Sequence, residues 1–585
     1  MSNAVAVLAY SAVSFVLIAS AGCVTTPKPI EPDRPSTLSG VHLPAGRPSR
    51  TEQTGAALSP DERRFAEALS HYTMGVVCEV ENGPRSPASL DHFVAAAKQD
   101  PSARRLHYRA ALAHMRRGEL DQAVAQLEAS CKASPDSFEA WAELATICQL
   151  TDRIPAAVSA YEKAIAVSPE RAFPYAKLAD LHLQRSQDEK AFDVMKRGFH
   201  KTQDPDPIVT VCRDHGGIRA GTNNIAGALA CFEFLAENAP SKQAESHYMA
   251  GLLYDSQKKT DKAAASYTAA TRGTNAVPDA FVRLALLDAD SKPRQAIDIL
   301  EEGRKRFPNT PEILFLLGTL YDRVGQEEKA ANAFAGASKF DPSVADSFVR
   351  LALIQFKNNP KKAQETLETA SRRLPDQPVI LYTLAQFHLT EKRFADAADL
   401  FSRVAALLKA SGQTNLGENL YLSYGSACER AGRTNDAERV FEECVIVHPQ
   451  FAEALNYLAY MWAERGENLD KALDYVQRAL RREPENGAYV DTLGWILFRQ
   501  KKFQQALDQL EIANLLHGDD PTVLDHIGDT HKALGNTDKA VAFWKRSFVL
   551  DPSNESVAGK LRNEKVDVEA LRKEAETTKS PDKTK

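Results

Sequence analysis

From about residue 60 onward, apolar residues recur three and four positions apart, in runs paired across short polar turns such as "RVGQEE" (323–328) and "ALGNTD" (533–538). That spacing predicts amphipathic helices in antiparallel pairs. The pairs repeat in one frame. In "LGTLYDRVGQEEKAANAFAGA" (317–337), let Leu317 be position 7 of a repeat. Gly318 is then position 8, Tyr321 position 11, Ala330 position 20, Phe334 position 24, Ala337 position 27 and Pro342 position 32. Leu144, Ala145, Ala157, Tyr161, Ala164 and Pro169 fall in the same frame. So do Leu493, Gly494, Ala506, Leu510 and Ala513, and again Gly528, Ala540, Trp544 and Pro552. About 13 copies run from Ala103 to Asn554, some a residue short or long.

Each recurring residue type has a physical reason. Two helices approach closely only where small side chains lie at the crossing, which positions 8 and 20 supply. Positions 4, 7, 11 and 24 carry the large apolar residues that fill the space beside it. Proline at position 32 cannot continue the second helix and sends the chain into the next pair. One pair cannot bury both apolar faces, whereas stacked neighbours can. The frame resembles the tetratricopeptide repeat (TPR) family, whose period is 34 residues. The resemblance implies an all-α fold, a right-handed α-solenoid of stacked helix-turn-helix repeats, with a concave groove lined by first helices.

The flanks of the repeat array differ in composition. Residues 61–102 read as an irregular N-terminal helical repeat, 103–554 as the array, and 555–585 as charged capping helices with a polar tail. Residues 24–60 are rich in Pro, Ser and Thr with few large apolar residues, which predicts a disordered tether. Residues 1–23 form an apolar stretch diluted by serines and ending in small residues, the pattern of a secretory signal. Ser20-Ala21-Gly22-Cys23 resembles the lipobox of bacterial lipoproteins, with Ser20 where leucine is usual. That resemblance implies acylation of Cys23. Val24, in place of an inner-membrane retention aspartate, implies an outer-membrane lipoprotein facing the periplasm.

Composition narrows the function. The net charge of −6 over 585 residues and the lack of a long basic run argue against nucleic acid as a partner. The chain has no Walker loop, dinucleotide fingerprint, HExxH, CxxC or GxSxG. No catalytic residue, cofactor or metal is therefore expected. Gly216, Gly217 and Gly221 read as a loosened turn in a degenerate repeat. His526 and His531, five apart, do not share a helix face. Besides Cys23, seven cysteines remain, an odd number that argues against a full disulfide framework. Within the frame, only Cys212 and Cys231 could face each other across a helix pair.

Trp141, Trp462 and Trp544 occupy positions 4, 11 and 24 and are expected in the core. Trp495 stands at position 9, which in this family faces the groove, near Phe498 and Tyr460 of adjacent first helices. A second aromatic and aliphatic set comprises Phe315, Leu353, Phe356, Tyr382 and Leu389. Both sets are candidate partner-binding residues, and packing between adjacent first helices is the competing reading. The Lys and Asn set with which chaperone-docking members grip a terminal carboxylate does not occur in consecutive repeats. The function expected is a non-catalytic protein-binding scaffold on an envelope lipoprotein, in an export or assembly complex. The alternatives are a cytoplasm-facing, membrane-anchored adaptor and an enzyme or its regulatory arm. Against the last, no stretch of roughly 100 residues lies outside repeats, tether and cap.

Overall fold

The computed structural model describes residues 58–413 and 415–578. Cys23, the signal stretch and most of the tether lie outside them. The described elements are all helices, from Pro60–Asn82 to Val568–Thr578. They belong to two compact units, one ending at Leu316 and the other beginning at Leu317.

Within each unit the sequence frame maps onto helix pairs. In the first unit, Phe138–Leu150 pairs with Ile154–Val167; in the second, Gly487–Arg499 pairs with Phe503–His517. The turn inside a pair is a tight left-handed cap. Gly325, Gly432 and Gly535 hold φ of 77°, 74° and 82° there, but Asp152, Ser186, Lys392 and Lys501 take the same conformation without glycine's freedom. The following amide then reaches back five residues: Gln326 N–H donates to the Tyr321 carbonyl at 2.8 Å, and Arg153 N–H to Cys148 at 2.8 Å. This is the bonding of a Schellman cap. Second helices end two residues before the position-32 prolines: Val167 before Pro169, Arg306 before Pro308, Leu550 before Pro552.

Position 8 is small because position 24, sixteen residues on, lies against it. A Cβ added to Gly318 would stand 2.8 Å from the Phe334 ring. At Gly251 it would meet Tyr267 at 2.5 Å, at Gly425 Phe441 at 2.4 Å, and at Gly528 Trp544 at 2.5 Å. Phe334, Tyr267 and Phe441 are in turn fully buried.

Two sequence expectations need correcting. Gly216 and Gly217 do not form a turn: Asp206–Gly221 is one continuous helix. Gly216 is an ordinary position 8, with Phe232 2.9 Å from where its Cβ would lie. The glycines that suggested a break meet the packing rule of the other repeats. Trp141 is half-exposed rather than core, and its indole N–H donates to the Pro135 carbonyl at 2.7 Å, capping the loop before its own helix. Position 4 lies near the start of the first helix, where a long side chain can lie over the preceding turn.

At the end of the second unit, Glu555–Asn563 and Val568–Thr578 cover the last repeat. Val557, Ala558, Leu561 and Val568 are buried with Trp544 and Phe548.

Candidate partner-binding site

Consecutive first helices bring the C-terminal candidate residues together. Trp495 and Phe498 lie on Gly487–Arg499, one turn apart, with rings stacked at 4.7 Å and 6°. On the other face of the indole lies His526 of Pro521–Ala533, a residue outside the candidate binding set, at 4.1 Å and 11°. Trp495 is thus 8% exposed, sandwiched between its own helix and the next repeat. Its Nε1 is enclosed and has no hydrogen-bond acceptor. Tyr460 and Phe498 are half-buried.

His526 is fixed by Asp491, whose Oδ1 lies 2.9 Å from Nδ1, and both are buried. Burial opposes the charged imidazole, but Asp491, Asp525 and Glu464 outweigh it and raise its pKa. Beside this pair, Lys560 of the capping helix donates to Asp525 at 2.8 and 2.9 Å and to Asp529 at 2.7 Å. The Trp544 indole donates to the other oxygen of Asp529 at 3.0 Å. Tyr460 lies among the same carboxylates. Burial first, then Glu464, Asp491, Glu429 and Asp525, push its hydroxyl above the usual phenol range.

These partners had a sequence signal. Residues 35 apart, one period plus one, lie side by side on successive first helices. Asp180 and His215 are paired at 2.7 Å, Asp491 and His526 at 2.9 Å, and Asp525 and Lys560 at 2.8 Å. In these three places an acid followed 35 residues later by a base makes a contact between successive helix pairs.

Four members of the second candidate set are divided between two packed cores. Phe315, half-buried, belongs to the first unit and the other four to the second. Leu353 and Phe356 pack on the core around Leu367 and Ile380, where Phe356 meets Phe387 edge-on at 4.5 Å. Tyr382 and Leu389 pack on the neighbouring core, Tyr382 edge-on to Phe401 at 5.6 Å. Burial raises the Tyr382 hydroxyl pKa, against hydrogen bonds to Ser423 and Gln386.

The seven described cysteines are free. Burial pushes the thiols of Cys131 and Cys444 up to about 12 and those of Cys148 and Cys428 to about 11, which makes them inert packing groups. Cys212 and Cys231 do meet: the Cys212 thiol donates to the Cys231 carbonyl at 3.4 Å. Near them the sequence hid a partly buried ion pair. Arg219, at apolar position 11, is bidentate to Asp188 at 2.7 and 2.8 Å and also donates to the Leu183 carbonyl.

Stacked antiparallel helix pairs with side chains bridging successive first helices define an α-solenoid. The comparisons name its family. Tetratricopeptide repeat profiles match residues 104–147, and 215–278, 355–411, 425–487 and 466–521. The chain belongs to the tetratricopeptide repeat family, whose repeats serve as protein-interaction scaffolds.

Among curated proteins it is similar to Protein CTR9 homolog of Arabidopsis thaliana, 23% identical over 310 residues, 49% of this chain and 27% of that one. It is similar to BBSome complex member BBS4 of Mus musculus, 24% over 194 residues, 32% of this chain and 36% of that one. TPR repeat-containing protein PA4667 of Pseudomonas aeruginosa is 26% identical over 168 residues, 29% of this chain and 28% of that one. The chain thus spans 27%, 36% and 28% of the length of these relatives. Among solved structures, the APC/C hetero-tetramer Cut9–Hcn1 aligns with 79% of this chain and 96% of that chain at 14% identity and a TM-score of 0.32. Pseudomonas aeruginosa pilF aligns with 38% of this chain and 99% of its own at 17% identity and a TM-score of 0.31.

Proposed function

We propose that this protein is a non-catalytic scaffold of the bacterial cell envelope, held to a membrane by acylated Cys23 and binding partner proteins along its first helices. The observation that carries the binding half is the continuous run of helix pairs. Their first helices meet through side chains such as Asp491, Trp495 and His526, and they fill the described chain without a separate catalytic domain. The lipid half rests on "SAGC" at residues 20–23 and the Pro-rich stretch behind it. Several acyl chains on one cysteine would hold the body stably, since one chain alone binds a bilayer marginally. Val24 favours the outer membrane and a periplasmic face.

Two measurements test the halves separately. Feeding cells a palmitate analogue should label the parent and not Cys23→Ser, and the variant should leave the membrane fraction. Label on neither protein, with equal membrane retention, refutes acylation. Crosslinking in cells followed by mass spectrometry should capture a reproducible set of envelope proteins. Capture of cytoplasmic proteins instead would favour the membrane-anchored adaptor facing the cytoplasm. A match to Protein O-mannosyl-transferase TMTC1 of Homo sapiens, 24% identical, spans only 20% of that protein, so it gives the enzymatic reading little support.

A further inference from the structure

The repeat frame allows one position to be compared between copies. Position 9 is Trp495 in the Gly487–Arg499 repeat and Gly217 in the Asp206–Gly221 repeat; each lies fifteen residues before position 24, Leu510 and Phe232. Position 5 is Asp491 in one and Arg213 in the other. Position 6 of the following first helix is His526 in one and Met249 in the other. Around Trp495 these residues close on the indole. Around Gly217 there is no side chain to close on. A cavity of about 570 Å³ lies there, lined by Val209, Gly217, Ile218, Phe232, Leu235 and Met249.

Its accessible wall is mostly apolar, and Arg213, Asp214, Lys242, Glu245 and the buried Ser246 also line it. Val209, Phe232 and Leu235 form buried walls, while Ile218 is 62% exposed beside it. The charged side chains at its rim are already paired, Arg213 with Asp214 at 3.3 Å and Lys242 with Glu245 at 3.2 Å. Both pairs are solvent-exposed, so none of these charges is buried against an occupant of the pocket. Gly217 is itself exposed, and a Cβ on it would meet nothing within 4 Å, so the pocket opens to solvent along this stretch of backbone. The copy is also longer by one residue: Gly216 to Gly251 is 35 residues, where Gly494 to Gly528 is 34, and the short helix Pro240–Lys242 occupies the connection.

We propose that this cavity receives a neutral aromatic side chain from a partner segment, in the place that Trp495 fills from within the chain. This rests on the scaffold reading and names the partner's chemistry. The volume is within the range of ligand pockets and exceeds that of one indole. Met249 offers a thioether to a ring in the place where His526 offers an imidazole face, and sulfur–aromatic contacts favour a ring over an alkyl group. The second copy thus shows what occupant the frame accommodates.

The test uses the purified full chain and fluorine NMR of 5-fluoroindole. The signal should broaden with the parent, and N-acetyltryptophanamide should displace the probe at a concentration at least tenfold below that needed for N-acetylleucinamide. Gly217→Trp, which supplies the missing ring, should weaken probe binding at least tenfold. Equal displacement by the two amides, or unchanged binding to the variant, overturns the proposal. A diazirine-bearing indole applied to the parent removes any dependence on how the variant folds. Label within residues 209–249 supports the site, and label confined elsewhere overturns it. Crosslinking in cells separates this from the scaffold reading. If parent and Gly217→Trp capture the same partners, the cavity proposal falls and the scaffold stands. If neither captures any, the scaffold reading falls on its own evidence.

Discussion

The repeats around Gly217 and Trp495 are two solutions to one local problem. Successive first helices leave a space at position 9, and something must fill it, line it or leave it open. Around Trp495 the chain fills it with an indole stacked between Phe498 at 4.7 Å and His526 at 4.1 Å. Around Gly217 position 9 brings no side chain, and a pocket lined by Val209, Phe232, Leu235 and Met249, with charged residues at its rim, opens to solvent. In both copies the small residues at positions 8 and 20 set how the two helices of a pair meet. Position 9 differs between them: Trp495 packs the seam in one copy, and beside Gly217 a pocket lies in the other.

The largest way to break the comparison is to empty the filled copy. Trp495→Ala removes a buried ring and should destabilise the second unit by about 3–5 kcal/mol, as large-to-small core changes do. Denaturant unfolding followed by far-ultraviolet circular dichroism measures it. A change below about 1 kcal/mol would mean that His526 and Phe498 close over the gap and that the two copies are less different than they look. The unpartnered Nε1 makes the outcome informative, because no hydrogen bond is lost with the ring.

His526 provides a second handle on the filled copy. The groups facing it are Asp491 of the preceding first helix, Asp525 beside it in its own helix, Glu464 two repeats back and the indole face. Burial opposes its charge but these carboxylates raise its pKa above the ordinary 6.5. A raised folded pKa stabilises below the unfolded value, and the contribution disappears as pH rises through the folded value. The difference in stability between the parent and Asp491→Asn should therefore be largest at mildly acidic pH, about 1.5–3 kcal/mol for a charged hydrogen bond, and shrink toward alkaline pH. The comparison must be differential, because burial lowers the pKa of His388, His531 and His247, and those contribute with the opposite sign. A difference that grows as pH rises would show that Asp491 holds a neutral imidazole.

How much of this was legible in the sequence follows from what the frame encodes. It specifies contacts inside a helix pair, so Gly318 against Phe334 and the prolines after second helices could be read directly. It is weaker on contacts between pairs, because these depend on the spacing of successive first helices. Trp495 was therefore placed at the groove position without the His526 ring that covers it, and Arg219 was missed because a charged residue at apolar position 11 is tolerable only with Asp188 from the repeat before. Gly216 was misread for another reason: three glycines in six residues suggest a broken helix by propensity, and the tertiary demand of Phe232 overrides that weak preference. Cys23 and the tether lie outside the described residues, and their reading rests on composition and the lipobox resemblance.

Neighbouring glycines in the open copy sharpen the comparison further. Gly216→Leu pushes a side chain into the Phe232 ring, 2.9 Å from the first added carbon, and should cost about 1–3 kcal/mol through overpacking. Gly318→Leu should behave alike in the second unit against Phe334, whereas Gln326→Leu, in an exposed turn, should change little. Thermal unfolding distinguishes them. Equal shifts for Gly318→Leu and Gln326→Leu would show that the repeat frame is misplaced.

The smallest expected effect runs in the opposite direction, one residue away. Gly217 sits mid-helix, its φ is not left-handed, and an added Cβ meets open space. Nothing in the fold asks for glycine there. Alanine would remove the entropy that glycine loses on entering a helix, so Gly217→Ala should stabilise the first unit by about 0.5–1 kcal/mol. A single methyl group leaves most of the cavity open, so the gain should come without closing the site. If Gly217→Ala instead destabilises the chain, the space is narrower than its walls indicate, and the contrast with Trp495 reflects how tightly the first helices pack there. If it stabilises, Gly217 is a residue whose only merit is the room it leaves.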